Sequence, residues 1–223
     1  MKSPDLFDLL KLNGASMRAN DNLAKYLDEA ALAGIEADVA DAVAQLLRAL
    51  LIDAEEDHNT KGTPERVARM YVREVFKGRY LPPPDITDFP NAMHLDEVYT
   101  VGPIAVRSAC SHHLVPIVGH AWVAIKPSDR VIGLSKFNRL VDWVMSRPQI
   151  QEEATVMLAD AIEEMIEPEG LAVVIKAQHL CMSWRGVKDS DTTMTTSIMR
   201  GIFRDKPASR AEVMALLSAQ QTP

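Results

Sequence analysis

The residues best suited to chemistry fall in two short segments, CSHH at positions 110–113 and HLC at positions 179–181. Together they contain both cysteines of the chain and three of its six histidines. Zinc binds thiolate sulfur and imidazole nitrogen, and a catalytic zinc site combines three protein ligands with one open position. Because Cys110 and His113 are three residues apart, a turn can bring both onto one ion, and Cys181 is the only other cysteine. The two segments therefore form a candidate metal site.

The same residues also fit a purely structural role. A lone cysteine in an apolar strand is usually just buried, and a histidine on a core-facing position usually satisfies a hydrogen bond. The more specific zinc signatures, paired Cys-x-x-Cys or His-Glu-x-x-His, do not occur in the sequence. Alternation along LAVVIKAQHLC predicts a strand that points His179 and Cys181 to the same face. Spacing alone leaves the metal site and the structural role open.

Charge and hydropathy exclude two classes of partner. The formal net charge is −7, and no stripe of basic residues interleaved with aromatics is present, which argues against a nucleic-acid surface. The first residues, MKSPDLFDLLKLNG, are interrupted by Asp5 and Asp8 and so lack a signal peptide's continuous apolar core. No apolar run approaches the roughly 20 residues that span a bilayer. We therefore expect a cytoplasmic protein with no membrane partner and no structural disulfide.

Helical patterns dominate the first part of the chain. Apolar residues recur from Val39 to Leu51 at the spacing of one helix face. The stretch TPERVARMYVREVFKG predicts another helix, with Thr63 as N-cap, Pro64 at its first position and Gly78 at its end. The rigid LPPPD segment that follows is the best candidate for a boundary. We predict an N-terminal helical segment at 1–80 and a second domain, which includes a C-terminal helix, at 81–223.

The second domain combines strands and helices in a defined order. Two strand-like stretches come before the helical patterns SKFNRLVDWVMSR and IQEEATVMLADAIEEMI, and two come after them. A last helix is predicted to open with the capping-box spacing of Ser209 and Glu212. The order ββααββ predicts the α+β class, with an antiparallel sheet and two helices on one face. The other face and the end strands would stay uncovered without further copies of the chain, so we expect an oligomer.

At the two candidate segments the sequence resembles a known family, the type I GTP cyclohydrolases. The resemblance is carried by CSHHLVPIVGHAWVAIKP, VIGLSKFNRLVDWVMSRPQIQE and HLCMSWRGVKDSDTTMTTSIMRGIF, and more weakly by GTPERVARMY, over most of residues 60–205. It implies the tunnelling fold, in which ββααββ units assemble into rings. It also implies that two rings pair into a homodecamer with active sites at subunit junctions, and that Cys110, His113 and Cys181 hold Zn²⁺.

The activity implied by the resemblance is hydrolysis of the guanine imidazole ring of GTP, followed by ribose rearrangement and reclosure. The products are formate and 7,8-dihydroneopterin triphosphate. Carbon 8 of guanine is a poor electrophile, so the reaction needs an activated water and a proton donor at nitrogen 7. The resemblance assigns that proton donor to His179 and a second acid/base, near the ribose, to His112.

Binding of the triphosphate is assigned by the resemblance to residues that would otherwise look like a solvated surface. No GxxxxGK[ST] loop is present, so basic side chains must hold the phosphates. Lys136 and Arg139 lie three apart on one predicted helix, and Arg185 offers a planar fork suited to phosphate. Ser135 is the predicted N-cap of that helix, whose first N–H groups suit an anion.

Guanine recognition is assigned to Gln151 and Glu152, at the start of the second helix of the domain. A carboxylate there complements the helix dipole in any protein, but it can also accept hydrogen bonds from the ring N–H and amino group of guanine. One position departs from the family: Ser111 stands where the motif commonly has glutamate. Since Ser111 is not at a ligand position, the departure bears on the orientation of neighbouring bases and on the pH optimum.

Three other classes of protein fit parts of the sequence. A nitrile reductase related by the tunnelling fold would need a free nucleophilic cysteine and no metal. A non-catalytic assembly would use zinc only to tie strands together. A zinc deaminase would need His-x-Glu and Pro-Cys-x-x-Cys, which the sequence lacks. Metal content separates the first class from a cyclohydrolase, and GTP-dependent formation of a pteridine separates the second.

Overall fold

The computed structural model describes residues 3–221, and the chain divides into two units, Met1–Pro82 and Pro83–Pro223. The regular structure of the first unit is helical over the described residues. Its α-helices are α1 (Ser3–Leu12), α2 (Glu29–Ala49), α3 (Thr63–Arg69) and α4 (Lys77–Tyr80), with a 3₁₀ turn at Ala24–Tyr26 and a π-helical stretch at Met70–Val75. These elements agree with the helical patterns of the sequence in this part of the chain.

The ends of α3 and α4 differ from the sequence prediction. Gly62 is the N-cap and Thr63 is already helical, so the prediction of Thr63 as the cap is wrong by one position. The Thr63 hydroxyl instead accepts a hydrogen bond from the Arg66 guanidinium at 3.1 Å. Gly78 lies inside α4, and the chain leaves the helix at Leu81, whose extended backbone is the conformation favoured before a proline.

The second unit contains a five-stranded sheet in the order β5-β2-β3-β6-β7 and a two-stranded sheet, β1 with β4. The strands are β1 (Asp88–Pro90), β2 (Tyr99–Cys110), β3 (Pro116–Lys126), β4 (Arg130–Ile132), β5 (Pro148–Gln149), β6 (Gly170–His179) and β7 (Met194–Gly201). The four long strands pair antiparallel, but β5 pairs parallel to the end of β2. The sheet is therefore mixed, and the prediction of a wholly antiparallel sheet is wrong at this edge.

Two helices pack on one face of the sheet, between β4 and β6 in chain order. They are α5 (Leu134–Met145) and α6 (Gln151–Ile166). Alternate residues of the strands, such as Val123 and Val173, meet helix residues such as Leu140 and Leu158, all of them buried. Burial of these aliphatic side chains contributes about 25 cal/mol per Å² of apolar surface, so this layer fixes the sheet on which the candidate residues lie. The predicted α+β class is confirmed.

Short helices and the C-terminal helix occupy the rest of the unit. They are α7 (Leu180–Ser183), α8 (Ile202–Asp205) and α9 (Pro207–Gln221). Phe203, Val213 and Leu217 pack with Trp122 and Val174 on the second face of the sheet. The expectation that only other copies of the chain could cover this face is therefore wrong for that part, because α8 and α9 fold back onto it.

The start of α9 also corrects the sequence prediction. The helix begins at Pro207, so Ser209 is a helical residue rather than the N-cap of a capping box. Proline is favoured in a first turn because its missing N–H would have no helical partner there. Among residues 3–221, no helix has the length and apolarity needed to cross a membrane.

Candidate metal centre and active site

A tight turn at the end of β2 brings Cys110 and His113 together. Cys110 is buried at the last position of the strand, and its N–H donates to the Val115 carbonyl at 2.9 Å. Leu114 adopts a positive φ of 54° and its N–H donates back to the Cys110 carbonyl at 2.8 Å. The turn folds His113 towards Cys110, as the three-residue spacing predicts.

Cys181 reaches the same place by a different route from the predicted one. Pairing of β6 with β3 ends at the His179–Ile117 pair, and residues Leu180–Ser183 form the helical turn α7. Cys181 therefore does not lie on the strand, and the prediction that strand alternation orients it together with His179 is wrong. The helical turn instead places Cys181 against Cys110 in a small buried cluster.

Three donor atoms converge from these two segments. The sulfur atoms of Cys110 and Cys181 and a ring nitrogen of His113 all lie within 4.8 Å of one another. Zinc bonds to sulfur of about 2.3 Å and to nitrogen of about 2.0 Å make such separations compatible with one shared ion. The donor set of two thiols and one imidazole is also one that catalytic zinc sites use, with a fourth position left for water or substrate. The residues present thus fit a zinc ion.

The surroundings of the Cys181 thiol, including Cys110, disfavour its ionisation. Burial raises the pKa of the Cys181 thiol, and its hydrogen bond with Cys110 raises it further. Both cysteines are free thiols. Because a metal ion binds the thiolate, metal binding at this site must release protons.

Two further predicted residues border the three donors. His112 Nδ1 lies 3.6 Å from Cys110 Sγ, and Arg185 Nη1 lies 3.2 Å from His113 Nε2. Both side chains belong to exposed residues, so both are open to a ligand. The structure therefore brings one predicted acid/base and one predicted phosphate-binding residue to the metal cluster.

His179 lies at the end of β6, half-buried, with its Nε2 at 2.9 Å from Gln151 Oε1. Burial lowers the pKa of the His179 imidazole, and the negative charge of Glu152 opposes this shift. Glu152 is exposed in the first turn of α6, next to Gln151. The side chain of Gln151 is fully buried and donates to groups of the protein itself. His179 and the two predicted guanine-binding residues thus form one group.

The predicted phosphate-binding residues of α5 make no hydrogen bond to this group among the described residues. Gly133 is the N-cap of α5, so the prediction of Ser135 as N-cap is wrong, although Ser135 does lie in the first turn. The extended backbone of Gly133 meets the cap geometry without a side-chain hydrogen bond. Lys136 donates from Nζ to the Asp85 carbonyl at 3.0 Å, and Arg139 is exposed. Over residues 3–221, none of these three side chains hydrogen-bonds to the metal cluster.

The site also contains two threonines, which were not identified from the sequence. Thr155 lies one turn after Gln151 on α6, and Thr196 lies on β7. Their hydroxyls are 2.7 Å apart, and both contact Gln151. The i, i+4 spacing of Gln151 and Thr155 is a signal in the sequence, but the approach of β7 is not.

Comparison with known proteins identifies the family. The family model for GTP cyclohydrolase I matches residues 39–218. A GTP cyclohydrolase 1 from Caldanaerobacter subterraneus subsp. tengcongensis is 43% identical over 183 residues, covering 80% of this chain and 97% of that protein. One from Streptomyces avermitilis is 45% identical over 179 residues, covering 78% of this chain and 88% of that protein. With the geometry above, these matches show that the chain belongs to the GTP cyclohydrolase I family.

Proposed function

We propose that this protein is a hydrolase that converts GTP into 7,8-dihydroneopterin triphosphate and formate at a zinc centre. The observation that carries the proposal is the convergence of Cys110, His113 and Cys181, from segments about seventy residues apart, within 4.8 Å in a chain of this family. When bound, zinc lowers the pKa of water to about 7 and so supplies a nucleophile at neutral pH. This reaction is the first step of folate and pterin synthesis.

The side chains around the zinc ligands supply proton transfer. His179, at the end of β6 and two residues before Cys181, gives a proton to nitrogen 7 of guanine, which makes carbon 8 more electrophilic. His112 acts as a second acid/base for the ribose rearrangement. Its position 3.6 Å from a zinc-ligating sulfur supports a role close to the reacting atoms.

Recognition of guanine falls to the start of α6. The exposed carboxylate of Glu152 can accept hydrogen bonds from the ring N–H and the amino group of guanine, and Gln151 belongs to the same end of the helix. Adenine carries its amino group elsewhere, so it would leave the carboxylate without these donors. We therefore expect GTP and not ATP to be the substrate.

The triphosphate is held by basic residues. Lys136 and Arg139 on α5, with Ser135 in its first turn, and Arg185 next to His113 form this set. The helix N-terminus adds backbone N–H groups and a favourable dipole for an anion.

We also propose that the catalytic function resides in residues 81–223, with the helical segment at 1–80 as an addition to it. The unit would form rings of the tunnelling fold, and two rings would pair into a homodecamer. Open sheet edges support assembly: among the described strands, β7 pairs only with β6, and β5 covers β2 over just two residues. Such edges favour pairing with another chain.

The direct test is incubation of the zinc-loaded protein with GTP, with formate and pteridine assayed together. We expect equal amounts of both products, no pteridine from ATP, and loss of both products after chelation. Formate without pteridine would limit the activity to ring opening. The absence of both products would overturn the proposed function.

A further inference from the structure

The orientation of one buried amide, that of Gln151, is fixed by its surroundings. Gln151 Nε2 lies 3.0 Å from the Ile175 carbonyl oxygen and 3.1 Å from the Met194 carbonyl oxygen. Carbonyl oxygens only accept hydrogen bonds, so the amide nitrogen, and not the amide oxygen, must face them. The side chain is fully buried, so no water offers an alternative partner to a reversed amide. Gln151 Oε1 is thereby turned towards His179.

A chain of hydroxyls fixes the same orientation independently. The Thr155 hydroxyl donates its proton to the backbone carbonyl of Gln151 at 2.7 Å, so it must accept from Thr196, also at 2.7 Å. The Thr196 hydroxyl has then used its proton and must accept from Gln151 Nε2 at 3.1 Å. The hydrogen bonds therefore run in one direction, from the amide through both threonines back to the helix backbone. A reversed amide would place an acceptor against an acceptor.

The fixed amide determines which nitrogen of His179 carries hydrogen. Gln151 Oε1 lies 2.9 Å from His179 Nε2, and an amide oxygen can only accept. Nε2 must therefore be the protonated nitrogen in the neutral ring. In the neutral ring this leaves Nδ1 as the nitrogen with the free lone pair.

We propose that Gln151 is a positioning residue for His179, which it holds as the Nε2–H tautomer, so that Nδ1 is the atom that exchanges a proton with the substrate. This inference rests on the proposed function for its link to catalysis. In catalysis Nδ1 first takes up a proton from solvent, which gives the imidazolium with hydrogen on both nitrogens. This Nδ1 proton then moves to nitrogen 7 of guanine, and the electron pair of the broken N–H bond stays on Nδ1, which restores the neutral Nε2–H ring. The Nε2–H bond to Gln151 is the same before and after transfer, so the ring need not turn. Direct contact with guanine at this end of α6 then falls to Glu152.

The test compares two buried glutamines. Gln149 is the matched control, since it is also buried and its Nε2 donates to the Val144 carbonyl at 2.9 Å and to Ser108 Oγ at 3.2 Å, without touching His179. Histidine ring nitrogens are labelled with ¹⁵N in the zinc-loaded, GTP-free protein. The His179 signals are assigned as those lost in His179→Asn. We expect a single Nε2–H tautomer in the unaltered protein and in Gln149→Met, and an Nδ1–H population in Gln151→Met.

A second variant separates positioning from packing. Gln151→Glu keeps an acceptor for His179 but sets an oxygen against two carbonyls, so we expect lower thermal stability and a retained Nε2–H tautomer. In kinetics, Gln151→Met should lower kcat at least about ten-fold and change KM for GTP by less than about three-fold. An Nδ1–H ring in the unaltered protein, or a retained Nε2–H ring in Gln151→Met, would overturn the inference.

The kinetic split also distinguishes positioning from direct substrate binding. A rise in KM with unchanged kcat in Gln151→Met would mean that the amide binds guanine, and would overturn the positioning role. The tautomer is read without GTP. A protein that shows the expected tautomer but makes no formate would therefore refute the proposed function alone.

Discussion

The two thiols and one imidazole of Cys110, Cys181 and His113 lie close enough together to bind one shared cation. The raised pKa of Cys181 means that the metal-free site keeps its proton, and a bound ion must displace it. Acidification should release the metal, and the raised pKa shifts this release to higher pH than for an ordinary thiol. The neighbouring Ser111 is not a ligand, so the departure from the family motif leaves the donor set complete.

Substitution of one ligand tests this site. Cys181→Ser should reduce bound zinc from about one ion per chain to a small fraction, since a neutral hydroxyl is a far poorer ligand than a thiolate. The matched control is Ser111→Ala, which changes a neighbour of Cys110 that is not a ligand and should keep its zinc. Metal analysis after dialysis measures both. Full zinc occupancy in Cys181→Ser would show that the ion lies elsewhere.

A second prediction at the residue scale concerns Glu152. Glu152→Ala should lower kcat/KM for GTP at least about 100-fold, because two charge-assisted hydrogen bonds of about 1.5–3 kcal/mol each would be lost. Zinc content should be unchanged, since the carboxylate is not among the three donors. Glu153→Ala removes the same charge one position along the helix and should retain most activity. Equal losses in both variants would point to overall charge instead of guanine recognition.

At the scale of elements, the distance between β3 and β6 sets the geometry of the site. Gly119 pairs with Ala177 in the sheet, and a Cβ there would meet the Lys176 carbonyl oxygen at 2.1 Å. The pairing ends two residues further along, at Ile117 with His179. Any side chain at Gly119 must therefore push the strands apart beside the candidate acid and the turn that carries Cys181.

Gly119→Ala should destabilise the protein by about 1–3 kcal/mol, as overpacking usually does. The apparent midpoint of thermal unfolding should fall by roughly 2–4 °C for each kcal/mol. Zinc affinity should also fall, because His113 lies in the turn that leads into β3, and Cys181 lies in the helical turn that follows β6. Gly133→Ala is the control, since its Cβ would have no atom within 4 Å. An unchanged midpoint in Gly119→Ala would mean that the strands already accommodate a methyl group.

The elements themselves could be predicted from the sequence, whereas their ends could not. Periodicity identifies α5, α6 and the long strands because each buries one regular face. Backbone geometry decides which residue caps a helix. Gly62 and Gly133 are therefore the N-caps, although Thr63 and Ser135 have the side chains that are favoured at such positions. Cys181 was predicted as a ligand, but the helical turn that orients it depends on where β3 stops pairing.

The tertiary hydrogen bonds were beyond the sequence. Gln151 was predicted to lie at a helix start, and it does. Its side-chain amide hydrogen-bonds to Ile175, Met194 and Thr196. These partners lie on two strands from elsewhere in the chain, so the sequence pattern around Gln151 does not predict them. The family resemblance supplied the identity of the candidate residues, while the structure supplied the partners that constrain them.

At the scale of the whole molecule, apolar surface remains that a single chain does not cover. Of the apolar residues predicted to form one helix face, Leu46 in α2 is 56% exposed and Leu50, the C-cap of α2, is 61% exposed. In the sheet, Val118 is 41% exposed on the face that α8 and α9 cover elsewhere. Apolar surface of this kind favours association with further copies. These observations support the proposed oligomer and raise the question of which copy completes each active site.

Subunit mixing answers that question. The family resemblance implies active sites at subunit junctions, so we expect Lys136 and Arg139 on α5 to serve the metal cluster of a neighbouring subunit. Lys136→Ala/Arg139→Ala and Cys181→Ser should each be inactive alone. Co-expressed in equal amounts with two affinity tags and purified as mixed oligomers, they should regain about a quarter of the unaltered activity, since random assembly at a two-subunit site pairs the intact halves that often.

Proteins purified separately and combined without exchange of subunits are the control, and they should stay inactive. The mixed oligomers must also match the unaltered protein in mass, so that a failure to assemble is not mistaken for a failure to complement. Activity near zero in correctly assembled mixtures would place both halves of the site within one chain. The proposed junction site would then be wrong, because a complete site inside a single chain cannot be restored by a partner that carries a different defect.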